Sequence, residues 1–228
     1  MMPKLKSALP FILIIAILFL IAPAQNKLTN AKDSKWFQDR MSYLASSDRV
    51  EPFLLGFSTT YANYIWIKTM LYFGSQYEKE KDYQWLASMV DIVTRLNPYF
   101  YPAYEFAGVM LPQESNNPSA ALIILHRGMT HIGGERFSIP FYISWLYNNQ
   151  LNDPQLAADY LTIAAHNPKA PAFYTGFAAT LYYKANKKDI AIQYLMSAYY
   201  SSENPAVKET IINKLKDYDV DVSSLIQS

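Results

Sequence analysis

The residues of this chain that could carry chemistry are few and widely spaced. It has three histidines, His126, His131 and His166, and no cysteine. On a helix, the spacing between His126 and His131 places them on different faces, and the pair Gly133-Gly134 indicates that His131 lies in a turn. Because no acidic cluster stands at ligand spacing, the sequence predicts no metal site and no cofactor.

The lack of cysteine excludes several kinds of site. The chain can form no disulfide, no thiolate nucleophile and no zinc or iron–sulfur site with thiolate ligands. His166 precedes Asn167-Pro168, a pair typical of a helix end. We therefore expect the histidines to interact with carbonyl groups at helix ends rather than to bind metal.

The pair Glu114-Ser115 resembles the acid and serine of lytic transglycosylases, which are exported enzymes on helical superstructures. The pair lies in a polar stretch typical of a turn between helices, and the later motifs of that family do not follow it. A general acid needs a desolvated pocket that raises its pKa, whereas this turn is predicted to be wet. We therefore expect no catalytic residues, with a transglycosylase-like enzyme as a remote alternative.

Small and aromatic residues recur at a spacing typical of stacked helical hairpins. The clearest unit runs from Pro171 to Pro205, and the polar segment Lys184 to Asp189 is predicted to join its two antiparallel helices. Small residues allow two backbones to approach closely. The first helix contributes Ala178, Ala179 and Tyr182, and the second contributes Ala191, Leu195 and Ala198.

This pattern resembles the tetratricopeptide repeat, over residues 56–204 and with three or four units. Three units depart from it: the first has Leu86 where a small residue is expected, the second ends in Gly133-Gly134 without its proline, and the third has Ser144 in place of a glycine and about one extra residue in its turn. The resemblance implies an all-α fold, an α-solenoid of stacked antiparallel hairpins in a right-handed superhelix. The packing residues that it implies are Gly74, Tyr77, Gly108, Ala120, Tyr147, Ala157, Tyr182, Ala191 and Ala198.

The composition agrees with a packed helical protein. The chain has 228 residues, of which 51% are hydrophobic, with only 7 glycines against 19 tyrosines and 12 phenylalanines. Its net charge of +1 provides no field that would attract nucleic acid or an anionic membrane surface. We therefore expect no nucleic-acid partner.

The amino terminus predicts export. Lys4 and Lys6 precede an apolar run from Leu9 to Ile21. Ala22-Pro23-Ala24 then places alanines at the two positions that a signal peptidase recognises. Residues 1–24 are then a signal peptide cleaved after Ala24, which releases a periplasmic protein. Alternatively residues 8–24 remain as a single-pass anchor in the inner membrane, since about 17 residues can span the hydrocarbon.

Polar segments and prolines set the remaining predicted boundaries between segments and helices. Residues 25–55 are predicted to form a polar tether and a first helix, which we place around Trp36 to Leu44. A long helix is predicted from Phe53 to Tyr77, and its partner from Trp85 to Leu96. Residues 205–228 are predicted to form a capping helix, Pro205 to Lys216, followed by a loose tail from Val220.

The resemblance also implies a concave groove lined by the first helix of each unit. Apolar anchors beside amides suit an extended peptide or a partner helix. The alternative is that Phe141, Trp145 and Phe173 pack on a neighbouring hairpin. The implied groove residues are Phe141, Trp145, Asn148, Asn149, Phe173, Thr180, Tyr183 and Lys184.

The function that follows is an exported, non-catalytic scaffold that binds another cell-envelope protein or a peptide segment of one. Similar repeat proteins serve secretion, pilus assembly or outer-membrane assembly, and this expectation rests on the resemblance alone. The alternative is a structural subunit that associates with copies of itself into a dimer or a filament.

Overall fold

A computed structural model of the chain describes residues 51–77 and 82–226. The chain divides into two compact units, residues 1–45 and 46–228, and every helix described here belongs to the second. The leader or anchor predicted at residues 1–24, most of the tether and the helix predicted around Trp36 to Leu44 lie outside the described residues. In the described part, no helix has the length and apolar character needed to cross a membrane.

The described residues contain helices and no strand, which confirms the predicted all-α class. Within residues 51–77 and 82–226, a 3₁₀ turn at Glu51–Phe53 precedes nine helices, and a one-turn helix follows them. The helices are α1 (Ser58–Tyr77), α2 (Leu86–Leu96), α3 (Tyr101–Gln113), α4 (Pro118–Ile132), α5 (Ser138–Asn149), α6 (Pro154–Ala165), α7 (Phe173–Lys184), α8 (Lys188–Ser201), α9 (Pro205–Asp217) and α10 (Ser223–Ile226).

From α1 to α9, each helix packs against the next one in the chain. Helices two apart also touch, namely α2 with α4, α3 with α5 and α7 with α9. The most extensive contacts join α6 to α5 and α6 to α7. Because each short helix exposes an apolar stripe that it cannot bury alone, these contacts with several neighbours build the core.

Three helices begin with the same local device, an Asx residue followed by proline. The side-chain oxygens of Asn117, Asp153 and Asn204 accept hydrogen bonds from backbone N–H groups in the first turns of α4, α6 and α9. Proline fits the next position, since it has no N–H to leave unsatisfied there. These starts are local properties of the sequence.

The turns inside three helix pairs also share one conformation. Asn116, Asn152 and Asn186 have φ angles of 47°, 51° and 59°, in the left-handed region that asparagine tolerates better than most residues. In each turn the next residue donates its backbone N–H to a carbonyl near the end of the preceding helix. The three asparagines therefore mark equivalent turns, and they recur at nearly equal intervals along the chain.

Close contacts between alternate helices have a similar sequence separation. Gly108 on α3 faces the Tyr142 ring on α5, and Gly176 on α7 faces Thr210 on α9, so both pairs have the same separation along the chain. Arg127 on α4 is 36 residues from Asp91 on α2, and its Nη2 lies 2.7 Å from Asp91 Oδ1. These three contacts therefore join alternate helices through residues that lie 34 to 36 positions apart in the chain.

The predicted packing residues differ in burial. Gly108, Ala157, Tyr182 and Ala191 are buried, whereas Ala120, Tyr147 and Ala198 are half-buried. Gly74 is exposed, with no atom within 4 Å of where its Cβ would lie, and Tyr77 is 56% exposed. The buried face of α1 instead consists of Ala62, Ile65, Thr69, Tyr72 and Gln76.

The long helix predicted from Phe53 starts later. Leu55 and Gly56 have φ angles of 45° and 91°, which no α-helix accommodates, so α1 begins at Ser58. Glycine adopts a positive φ without the penalty that leucine incurs. The apolar residues before Ser58 extended the predicted helix too far, because hydropathy does not report backbone angles.

The carboxyl-terminal tail differs from the predicted loose segment over its described residues. Val222 and Leu225 are buried, and Tyr199 donates its hydroxyl to the Leu225 carbonyl at 2.6 Å. Residues Ser223–Ile226 form the one-turn helix α10. Two apolar residues in a polar segment were enough to dock the tail against α8.

Candidate functional site

The predicted groove residues lie on α5 and α7, and one contact joins the two sets. Lys184 donates from Nζ to Asn148 Oδ1 at 3.0 Å. Asn148 donates to Asn149 Oδ1 at 3.2 Å, and Asn149 donates to the Trp145 carbonyl at 3.0 Å. The amides of both asparagines therefore already have partners within the protein.

The apolar members of the predicted groove differ in their surroundings. Phe141 is half-buried and stacks on Tyr174 of α7, with ring centroids 5.1 Å apart. Phe173 is 59% exposed and meets the same Tyr174 edge-on at 4.9 Å. Phe141 thus packs between helices, as the alternative interpretation predicted, while Phe173 faces solvent and Trp145 is half-buried.

Two further members are tied to nearby structure. Tyr183 is 47% exposed, and its ring stacks on Tyr218 at a centroid distance of 4.8 Å. Thr180 donates its hydroxyl to the Gly176 carbonyl one turn earlier on α7. Both residues can be reached from solvent, but Tyr183 also holds the end of α9 against α7.

Phe177 belongs to the same surface and was missed by the sequence interpretation. It is 39% exposed and lies one helical turn after Phe173 on α7. The signal that could have found it is the spacing of four residues between the two phenylalanines, which places both rings on one helix face. Together they form an exposed aromatic strip on α7.

A cleft of about 790 Å³ opens beside Phe141, between the amino-terminal parts of α3, α5 and α7. We call it the α3–α5 cleft. The loops that precede α5 and α7 complete its rim. Its aromatic walls are Tyr101, Phe137, Phe141, Tyr142 and Tyr174, of which the sequence interpretation placed only Phe141 in a groove.

A hydrogen-bond network fixes the α3 wall of the cleft. Tyr101 donates its hydroxyl to the Glu105 carboxylate, and that hydroxyl lies 2.7 Å from Ser138 Oγ on α5. The guanidinium of Arg136 lies 4.3 Å from the centroid of the Tyr101 ring, a cation–π contact. This network joins α3 to the start of α5.

The phenols of the cleft are neutral near pH 7. Burial, reinforced by the bond to Glu105, raises the pKa of Tyr101 to about 12. Burial also raises the pKa of Tyr142 and of Tyr174 above their ordinary value. The walls therefore present uncharged aromatic rings with hydroxyl groups, and the charge in the cleft belongs to its acidic and basic side chains.

The two loops at the rim hold each other in place. Asn167 donates from Nδ2 to the Gly134 carbonyl at 3.4 Å, and its Oδ1 accepts from the backbone N–H of Lys169 at 2.9 Å. Gly134 belongs to the loop before α5, and Asn167 and Lys169 to the loop before α7. The opening of the cleft is thus defined by a contact between loops 33 residues apart.

The residues considered for catalysis lie elsewhere. Glu114 follows the last residue of α3 and is half-buried, in a smaller cleft of about 310 Å³ that Asp82 also lines. Ser115 donates its hydroxyl to the Leu111 carbonyl at 2.7 Å, within the same helix end. The predicted polar turn is therefore present, and its serine is bound to backbone.

The histidines are separate from one another. His131 is exposed in the last turn of α4, so its predicted position in a turn is wrong, because α4 continues to Ile132. His126 meets the Tyr160 ring edge-on at 5.5 Å, and burial lowers the pKa of His126. His166 ends α6, with Nδ1 2.6 Å from the Thr162 carbonyl, which confirms its predicted helix-end position.

Across residues 51–77 and 82–226, the structure places no three histidine, aspartate or glutamate side chains where they could share a metal ion. Comparison of the chain with protein-family models, with curated proteins and with solved structures gives no match.

Proposed function

We propose that this chain is an exported, non-catalytic helical repeat protein that binds another cell-envelope protein through the face formed by α3, α5 and α7. The observation that carries this proposal is the α3–α5 cleft, a concave site with five aromatic side chains in its walls. Clefts of about 300–1,000 Å³ with apolar walls and a few polar groups are typical binding sites.

The repeat character is supported by the regular separation of equivalent features. The left-handed asparagines recur at nearly equal intervals, and the two glycine contacts join residues with one common separation. Both intervals are close to the period of tetratricopeptide repeats, which is about 34 residues. In such an arrangement α3, α5, α7 and α9 are the first helices of successive units, and they form the inner wall of an α-solenoid.

Binding through this face is supported by apolar side chains of α5 and α7 that remain partly or fully exposed. Phe173 and Phe177 remain open to solvent on α7, and Trp145 is half-buried on α5. Large aromatic side chains with little rotamer freedom are frequent anchors of protein interfaces. Export is supported by the charged and apolar pattern of residues 1–24.

A photo-crosslinking experiment tests the proposal. A photoreactive phenylalanine analogue is placed at Trp145 or at Phe173 in the full chain, expressed in its native cells and irradiated there. Adducts with one distinct envelope protein are expected from both positions. The matched controls are Ile123 on α4 and Ile163 on α6, which are 61% and 47% exposed but lie outside the proposed face.

The comparison of crosslinking at the four positions decides whether the proposed face is correct. Adducts at Trp145 and Phe173 that are absent at Ile123 and Ile163 support the proposed face. Equal adducts at all four positions would show that exposure alone determines the crosslinking, and the proposed face would be rejected.

A second candidate function, self-association, is favoured by the open face of α1. Tyr64, Ile67 and Leu71 are 53%, 58% and 60% exposed, and their spacing places them on one side of the helix. Two copies that pair through this face would bury these side chains. Light scattering of the purified chain should then give a dimer, and Ile67→Lys should convert it to a monomer.

A further inference from the structure

The turn that precedes α1 exposes several large apolar side chains. Phe53, Leu55 and Phe57 are 82%, 85% and 67% exposed, and the first two values are the highest among the large hydrophobic side chains of the described part. Leu55 has a φ angle of 45°, and Phe57 donates its backbone N–H to the Leu54 carbonyl at 2.7 Å, which closes the turn. We call residues 53–57 the apolar turn.

The open face of α1 follows the apolar turn directly in the chain. Tyr64, Ile67 and Leu71 are exposed on one side of this helix. Lys68 is the only charged residue from position 53 to position 77, and its Nζ lies 5.5 Å from the centroid of the Tyr64 ring. A lysine beside apolar residues can keep its ammonium group at the level of lipid headgroups. The segment therefore combines apolar surface with an absence of carboxylates.

The predicted anchor would keep this surface near a bilayer. In the alternative with an uncleaved leader, residues 8–24 stay in the inner membrane and residues 25–52 link them to Phe53. A link of that length spans at most about 100 Å. Confinement within that distance gives an effective concentration in about the millimolar range. Weak insertion of a few apolar side chains is then enough to hold the surface on lipid.

A bilayer suits this surface better than a second copy of α1 does. The helix has 20 residues, so a partner helix packed along it covers a strip of about 30 Å by about 10 Å. That strip of about 300 Å² is well below the area of about 800 Å² that each partner buries in a standard interface. Pairing of copies therefore needs further surface, whereas insertion into lipid needs no complementary shape and can also bury the apolar turn.

We propose that the apolar turn and the open face of α1 insert into the surface of the bilayer that holds the predicted anchor. Leu55 and Ile67 lie below the headgroups, and Tyr64 and Lys68 lie at their level, where aromatic and cationic side chains are favoured. Because the net charge of the chain is only +1, apolar contact drives this insertion. The inference goes beyond the proposed function, and it rests on the anchored alternative for the leader.

The test is quenching of a fluorophore by lipid. The chain has no cysteine, so a single cysteine can be labelled at a chosen position. The full chain, with its leader intact, is reconstituted into phosphatidylcholine vesicles with the fluorophore at Phe57→Cys or Ile67→Cys. The matched controls are Ile123→Cys and Ile163→Cys, at exposed positions of α4 and α6. Lipids with a spin label on the acyl chain should quench the first two positions at least about threefold more than the controls.

A second variant removes apolar surface and preserves the backbone. Leu55→Asn suits this purpose, because asparagine tolerates the positive φ angle of Leu55. With the fluorophore at Ile67, it should lower the ratio of inserted to free surface about fivefold. The control is Leu156→Asn on α6, at a 38% exposed residue, which should leave the quenching unchanged. Equal effects of the two asparagine variants would overturn the inference.

The remaining outcomes separate lipid from the other occupants. Equal quenching at all four labelled positions, or quenching at none of them, would overturn the inference. A blue shift at Ile67 that grows with protein concentration and does not respond to spin-labelled lipid would assign the face to a second copy, and would overturn it too. The crosslinks at Trp145 and Phe173 are measured separately, so the proposed partner face can fail while this inference holds, and the reverse.

Discussion

Two glycines should respond in opposite directions to the same substitution. Both Gly74 on α1 and Gly108 on α3 were predicted at packing positions, and both lie in helices. A Cβ at Gly74 would meet no atom within 4 Å. A Cβ at Gly108 would lie 2.7 Å from Tyr142 Cγ and 2.9 Å from Tyr142 Cβ. The variants are Gly74→Ala and Gly108→Ala.

The expected changes in the free energy of unfolding follow from two opposing effects. Alanine favours a helix over glycine by about 0.5–1 kcal/mol, and this is the only effect expected at Gly74. At Gly108 the new methyl group presses on atoms at the root of Tyr142, which cannot swing away without moving α5. Overpacking of that kind costs about 1–3 kcal/mol, and three close contacts favour the upper end, so the net loss is about 2 kcal/mol.

The assay is thermal unfolding followed by circular dichroism. For a chain of this size about 1 kcal/mol changes Tm by about 2–4 °C, so Gly74→Ala should raise Tm by about 1–4 °C and Gly108→Ala should lower it by about 4–8 °C. A loss of stability in Gly74→Ala would refute the reasoning and restore the packing role predicted for Gly74. No loss in Gly108→Ala would show that α3 and α5 are not in close contact there.

Two further predictions concern the tail and the tyrosines. Tyr199→Phe removes the hydrogen bond to the Leu225 carbonyl, so it should lower the free energy of unfolding by about 1 kcal/mol and speed proteolysis of the tail. The control is Tyr200→Phe, at a 72% exposed residue, which should change neither quantity. Equal effects of the two variants would contradict docking of the tail. Burial raises the pKa of Tyr72, Tyr104 and Tyr194 to about 12 from an ordinary 10.0, so the folded state keeps protons that the unfolded state loses. The stability that these three neutral tyrosines contribute is complete below pH 10 and is lost as the pH rises towards 12. The midpoint of urea unfolding should therefore fall between about pH 10 and about pH 12. A constant midpoint over that range would contradict the burial of the three phenols.

Local signals in the sequence predicted several helix bounds well. Asn204-Pro205 begins α9 as predicted, because the asparagine oxygen and the proline act within one turn. The polar segment from Lys184 to Asp189 does join α7 to α8. That segment includes Asn186, which has a left-handed backbone conformation. The same conformation occurs at Asn116 and Asn152, and it was not predicted at any of the three asparagines.

Hydrophobic patterns located the helices but did not decide which face each one buries. The prediction that Gly74 packs depended on aligning α1 with the repeat, and a small shift in phase around a helix exchanges buried and exposed positions. The exposure of Gly74 and the burial of Thr69 and Gln76 follow from how α1 lies on α2. The tail was mispredicted for a related reason, since burial of Leu225 depends on α8.

What the sequence determined by itself is the helical class and the places where several helices begin and end, because those depend on bonds within a few residues. What only the tertiary structure decided is the α3–α5 cleft. Its walls come from α3, α5 and α7, and its rim from two loops 33 residues apart. Neither Arg136 nor Tyr101 has a distinctive neighbourhood in the sequence, and their contact exists only because packing places the start of α5 beside α3.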